Sequence, residues 1–149
     1  MTDIILTQSE AEALISMPKY RVDDTEWEYP SLGGNVSVPL IGENRREAFL
    51  LDVSRSRIDL SRGNHQDRAR QIIILVRLDI GGAPHRNPDG DEIPSPHLHV
   101  YREGYGDKWA TRIPANLFPD VEDHWETLHD FMRYCNIADP PRFVRGLFT

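Results

Sequence analysis

The segment Gln71–Leu78, QIIILVRL, constrains this chain more than any other. Ile72, Ile74, Val76 and Leu78 fall on one alternation, and Ile73 and Leu75 on the other. A short apolar run of β-branched residues on both parities predicts a central strand covered on both sides. A sheet must therefore form around it, and the flanking signals say how. Thr7 with Glu10 three residues later is a capping-box pattern, followed by Ala11, Leu14, Ile15 and Met17, which predicts a helix ending before Pro18. Tyr20–Tyr29 reads as one strand. Val36–Leu40 reads as a short strand, placed at a sheet edge by Pro39. Phe49–Val53 and Arg57–Leu60 read as a hairpin around Ser54-Arg55-Ser56.

After the central strand comes a loop, Pro84–Pro96, with an Asn87-Pro88-Asp89-Gly90 type I turn inside it. His97–Arg102 and Lys108–Arg112 read as strands joined by the Gly104–Asp107 turn. Val121, Trp125, Leu128, Met132 and Cys135 recur at helical spacing and predict a second helix over Val121–Cys135. Pro140 and Pro141 stop it, and Phe143, Leu147 and Phe148 are expected to pack the tail back. The expected fold class is α+β over residues 1–149: a single domain with a mainly antiparallel sheet of about six strands and N- and C-terminal helices.

Charge narrows the function classes. Acids outnumber bases 24 to 17, for a formal charge of −7. Lys19 and Lys108 are the only lysines; the other bases are arginine, and many fall between Arg55 and Arg86. An acidic body disfavours sequence-blind nucleic-acid binding, but a local arginine groove suits phosphate. One cysteine excludes an internal disulfide framework, and Cys135 on the apolar helix face reads as packing. No apolar run approaches a membrane span, and the first ten residues lack a signal-peptide pattern, so the expected setting is cytoplasmic, with no membrane partner.

Candidate chemistry concentrates in Pro96-His97-Leu98-His99-Val100-Tyr101-Arg102. Strand alternation sends Leu98 and Val100 to one side, and His97, His99 and Tyr101 to the other. Two imidazoles at i and i+2 can share a metal or divide acid and base roles in phosphodiester cleavage. A third ligand would come from His85, His65, or an acid such as Asp79, Asp89 or Glu103, so whether a metal or other cofactor is present stays open. His85 begins the preceding loop and can fold over this surface. Lys108 and Tyr101 are candidates to position phosphate, and Arg70, Arg77, Arg86 and Arg102 to hold a polyanion backbone. Packing is the competing expectation for each.

Other patterns fail on spacing. His124 and His129 lie five apart, about 140° around a helix, so they do not share a face. Gly104-Tyr105-Gly106-Asp107-Lys108 lacks the Walker A pattern.

The segments Arg77–Asp79, Pro84–Gly90, Pro96–Tyr105 and Asp107–Ala110 resemble a bacterial family of unknown function with an HxH strand motif. Leu6-Thr7-Gln8, Glu10-Ala11 and Asp130–Cys135 extend the resemblance over most of the chain. Pro96-His97-x-His99 is also similar to the proline-led histidine cluster of small toxins from toxin–antitoxin pairs. That likeness implies an enzyme acting on RNA or DNA, with His97 and His99 as the positions that carry over and His85 as a further candidate. The rival expectation is a non-catalytic acidic binding module, a phage or mobile-element inhibitor of a host complex, using residues 23–28 and 120–130. A protein partner (an antitoxin or that host complex) belongs to these readings.

Overall fold

The computed structural model describes residues 5–146. The chain runs through α1 (Gln8–Ser16), β1 (Lys19–Arg21), β2 (Glu26–Glu28), β3 (Asn35–Gly42), β4 (Ala48–Arg55), β5 (Gly63–Ala69) and β6 (Ile73–Ile80). It continues with β7 (His85–Arg86), β8 (Glu92–Ile93), β9 (His97–Val100), β10 (Ala110–Arg112), α2 (His124–Tyr134), β11 (Ile137–Asp139) and β12 (Arg142–Val144). This is an α+β fold built on a mainly antiparallel sheet of eight strands, ordered β10-β9-β6-β5-β4-β3-β1-β11, rather than about six. β1 with β11, and β2 with β12, are the parallel pairs. Apolar side chains of α1 (Ala11, Leu14) and α2 (Leu128, Phe131) join Leu51, Val53, Val76, Leu78 and Leu98 of the sheet in one core. No helix among the described residues is long and apolar enough to cross a membrane.

The helix starts follow their sequence signals. The Thr7 hydroxyl accepts from the Glu10 N–H, and the Glu10 carboxylate accepts from the Thr7 N–H, each at 3.1 Å. Asp123 caps α2 by accepting from the Glu126 N–H, so the helix begins at His124 and Val121 stays outside it.

Several sheet expectations are corrected. Tyr20–Tyr29 is two strands in different sheets, β1 and β2. β3 lies between β4 and β1 and is not an edge. β1 covers only Leu40–Gly42, so at Pro39 no strand on that side asks for the missing N–H. Arg57–Leu60 is not a strand: Ile58 and Leu60 are 95% and 67% exposed in the β4–β5 connection. The partner of β4 is instead β5, whose inward residues are His65, Asp67 and Ala69. Leu147 and Phe148 lie outside the described residues, whereas Phe143 pairs with Trp27.

The two-faced apolar run has a specific cause. Asp67 pairs with Val76 and Arg68 with Ile74, which leaves Leu75 as an extra residue in β6. This bulge puts Leu75 and Val76 both into the core. Beyond it, Leu78 and Ile80 stay inward while Arg77 and Asp79 turn to the opposite face.

Candidate metal centre

That opposite face is where the site forms. β6 and β9 are antiparallel neighbours in a register that sets Asp79 across from His97, Leu78 from Leu98, and Arg77 from His99. Alternation then gathers Arg77, Asp79, His97 and His99 into one patch.

Asp79 Oδ2 lies 3.3 Å from His97 Nε2 and 3.3 Å from His99 Nε2. The three donor atoms all fall within 4.8 Å of one another. Metal–ligand bonds of about 2.0–2.1 Å at tetrahedral angles place ligand atoms roughly 3.3 Å apart. His97 and His99 are buried and Asp79 is half-buried, so these donors do not move freely in solvent.

The surrounding loops fix His99 and His85, whereas the buried Nδ1 of His97 has no partner among the described residues. His99 Nδ1–H donates to the Asp107 carbonyl at 2.7 Å, which leaves the Nε2 lone pair facing Asp79. A backbone acceptor on the far nitrogen is the usual arrangement behind a metal-bound histidine. The next carbonyl, of Lys108, accepts from His85 Nε2–H at 2.7 Å. Asp107, in the turn expected only to link two strands, and Lys108, expected to begin the second of them, thus orient two histidines.

His85 folds over the patch, with its ring centroid 4.5 Å from that of His99 and 5.8 Å from that of His97. It sits on β7, and the loop carrying it is tied to β10 by Asn87. The Asn87 side chain donates to the Ala110 carbonyl at 2.9 Å and accepts from the Ala110 N–H at 2.8 Å. The Gly90 N–H to Asn87 carbonyl bond, 2.8 Å, closes the expected turn.

With Nδ1–H committed to Asp107, His99 Nε2 turns a lone pair towards the Asp79 carboxylate, so a cation belongs between or beside them. Arg77 supplies one: its Nη2 is 3.2 Å from His99 Nε2 and its Nε is 3.2 Å from the Asp79 carboxylate, while Nη1 pairs with Asp107. Burial pushes the Asp79 carboxyl up, but the His99 contact and the charge of Arg77 hold it below the usual range. Burial lowers His97, and Asp79 opposes that shift.

Asp79, His85 and His97 open onto a cavity of about 580 Å³. Its other walls include Arg55, Arg62, Asn64, Gly81 and Gly82.

The remaining residues singled out by sequence are placed as follows. The buried Tyr101 hydroxyl donates to the Leu6 carbonyl and accepts from the Leu6 N–H. Arg70 pairs with Glu47, Arg86 with Glu92, and Arg102 stacks 4.0 Å from the Trp109 ring centroid. Lys108 is exposed and contributes its carbonyl to His85. His65 is on the core face, packed against Phe131, away from the cluster. Asp89 and Glu103 are exposed; Asp89 accepts from the Asp91 N–H and Glu103 from the Gln8 N–H at the start of α1. Of the possible third ligands, Asp79 and His85 are therefore brought to His97 and His99, and Asp79 is the one whose ligand atom groups with theirs. Arg55 and Arg62 were not read from sequence as site residues. The pair Gly81-Gly82 directly after the strand was the available signal.

A family model described as a family of unknown function, DUF6978, matches residues 6–137. The chain belongs to DUF6978. The match includes Asp79, His85, His97, His99 and every residue named here as lining the cavity. Neither the curated proteins nor the solved structures gave a match.

Proposed function

We propose that this DUF6978 protein is a metal-dependent hydrolase of phosphodiesters, acting on nucleic acid at the Asp79–His97–His99 centre. One observation carries the reading. Two buried imidazole nitrogens stand 3.3 Å from one carboxylate oxygen of Asp79, and Asp79 and His97 line an arginine-bearing cavity.

Two imidazoles and a carboxylate suit zinc or a neighbouring first-row divalent ion, and three protein ligands leave a position open for water. An ion held by Asp79, His97 and His99 would supply an acidified water and a positive charge for the phosphoryl group. The protein's own groups do the rest. His85, with Nε2–H committed to Lys108, keeps Nδ1 as a proton acceptor. It takes the water's proton as the oxygen attacks phosphorus, and returns it to the ester oxygen as that P–O bond breaks. The products are a phosphomonoester and an alcohol. Arg77 Nη2 now occupies the His99 Nε2 lone pair, so an ion would have to displace that contact, while Asp107 would still pair with Nη1.

The test is hydrolysis of bis(p-nitrophenyl) phosphate and of labelled single-stranded RNA and DNA by protein loaded with Zn²⁺ or Mn²⁺. Cleavage that is lost with a chelator, and in Asp79→Asn, His97→Ala and His99→Ala, is the expected result. In the toxin-like form of this reading, induced expression arrests bacterial growth and the histidine variants relieve it. Absence of cleavage from metal-loaded protein overturns the hydrolase. A stable protein partner lost on charge reversal of Asp23, Asp24, Glu26 and Glu28, but indifferent to His97→Ala, favours the acidic binding module instead.

A further inference from the structure

The cavity beside the centre has a second feature. Gly81 and Gly82 leave β6 two and three residues after Asp79, with φ of +78° and +88°. Only glycine adopts two such conformations in succession without strain. A Cβ on Gly81 would lie 2.8 Å from the Ser61 carbonyl oxygen, and one on Gly82 would lie 3.2 Å from Arg62 Nε and Nη2. The missing side chains let the Arg62 guanidinium rest on this turn, at the cavity wall.

The donors around it are uncommitted. Among the described residues, the Arg62 guanidinium has no hydrogen bond and no carboxylate within ion-pair distance, unlike Arg77, Arg86, Arg68 and Arg70. Arg55 is anchored by Nη1 to the Pro30 carbonyl at 3.0 Å and by the Tyr29 ring, yet its buried Nε–H has no partner. Asn64 receives the Ser54 hydroxyl on its Oδ1 at 2.7 Å, which leaves its amide N–H groups for the cavity. The buried Arg55 Nε–H lacks an acceptor, which is costly, and the exposed Arg62 guanidinium and the half-buried Asn64 amide stand beside the same polar space, so the three donors together suit an anion with several oxygens.

We propose that Arg62, Arg55 Nε–H and the Asn64 amide form a phosphate-binding subsite that holds the substrate's phosphate next to Asp79–His97–His99. This rests on the reading of the substrate as a phosphate ester, but the subsite needs no metal. Its donors are protein N–H groups, and Arg62 supplies a full charge in a forked geometry.

Inorganic phosphate is the probe, titrated into chelator-treated protein and followed by ¹H–¹⁵N spectra. Saturable shifts are expected at the Gly81 and Gly82 amides and the Asn64 side-chain amide. Arg62→Ala should weaken phosphate by about tenfold or more, the size of a lost charge-assisted contact. Arg62→Lys should recover part of it. Arg62 is exposed, so these variants keep the fold, checked by their melting temperatures. Gly82→Ala, which crowds the guanidinium, should act like Arg62→Ala. Phosphate binding that is unchanged in Arg62→Ala, or shifts centred elsewhere, overturns the subsite. The two proposals fail separately. Arg62-dependent phosphate binding without metal-dependent cleavage keeps the subsite and removes the hydrolase. Metal-dependent cleavage with Arg62-independent phosphate binding does the reverse.

Discussion

Replacing Lys19 by Met removes the one buried lysine or arginine among the described residues. Lys19 is fully buried, and its Nζ donates to the carbonyls of Ile15 at 2.9 Å, Met17 at 3.0 Å and Cys135 at 2.7 Å. Ile15 and Met17 end α1, and Cys135 is the C-cap of α2. One ammonium thus satisfies the orphan carbonyls of two helix ends, where a positive charge is also favoured. Nζ lies 3.7 Å from Asp67 Oδ2. Burial lowers the Lys19 ammonium and Asp67 opposes that shift.

Methionine keeps the stem's packing and loses the rest. Three carbonyls left without a donor cost about 1 kcal/mol each at least. Removing one member of a buried ion pair costs about 3–5 kcal/mol when the other stays charged. Asp67 can escape part of this by protonating, because burial has already pushed its carboxyl up to about 7. The net loss at pH 7 is therefore about 5 kcal/mol, comparable with the whole stability of many domains. With a urea slope near 2 kcal/mol/M, the unfolding midpoint falls by roughly 2.5 M. Lys19→Met/Asp67→Asn should regain the charge portion and remain about 3 kcal/mol below the parent, the share of the carbonyls. A midpoint within about 0.5 M of the parent, or a double variant no better than Lys19→Met, would refute the reasoning.

Two further outcomes follow from buried groups and one loop. Burial holds the His65 imidazole down at about 3, so the unfolded chain binds more protons between pH 3 and 6.5 and stability rises with pH there. Asp67, raised to about 7, works the other way: its contribution is present below pH 3.8 and lost as pH climbs to 7. The two offset between pH 4 and 6.5, and Asp67→Asn should uncover a rise of roughly 1.4 kcal/mol per pH unit, read from urea midpoints at pH 4, 5 and 6. A flat profile in that variant would count against the assignment. Asn87→Ala should unfasten the His85 loop from β10 and cut hydrolysis by about 10²-fold while metal uptake stays intact, since Asn87 holds the proton-transfer residue and no ligand; equal loss of metal would show that the loop supports the ligands as well.

The legible parts of this chain were those in which local chemistry and tertiary role agree. Thr7 and Glu10 capped a helix as read, Asn87–Gly90 made its turn, and the Pro96–Tyr101 alternation marked the strand that carries His97 and His99. In the hairpin after Phe49, β4 pairs with a different strand from the expected one, because the apolar residues there are not the buried ones. Ile58 and Leu60 are solvent-exposed, while the true partner GNHQDRA turns His65 and Asp67 inward. The partners of those polar residues come from Lys19 and α2, distant in sequence, so nothing within β5 announces it. Asp79 was only one of several possible third ligands. It was singled out by the β6–β9 register, which sets it across from His97. Arg77 was read as a contact for substrate and is instead bound to Asp79, Asp107 and His99, because the bulge at Leu75 turns it onto the same face.

Metal content after equilibrium dialysis against Zn²⁺, measured on folded parent, Asp79→Asn, His97→Ala and His99→Ala proteins, tests the centre most directly. The geometry predicts about one ion per parent chain and a loss of at least tenfold in affinity in each variant. A parent that takes up no ion, or variants that hold it as tightly as the parent, would contradict a metal centre at Asp79, His97 and His99.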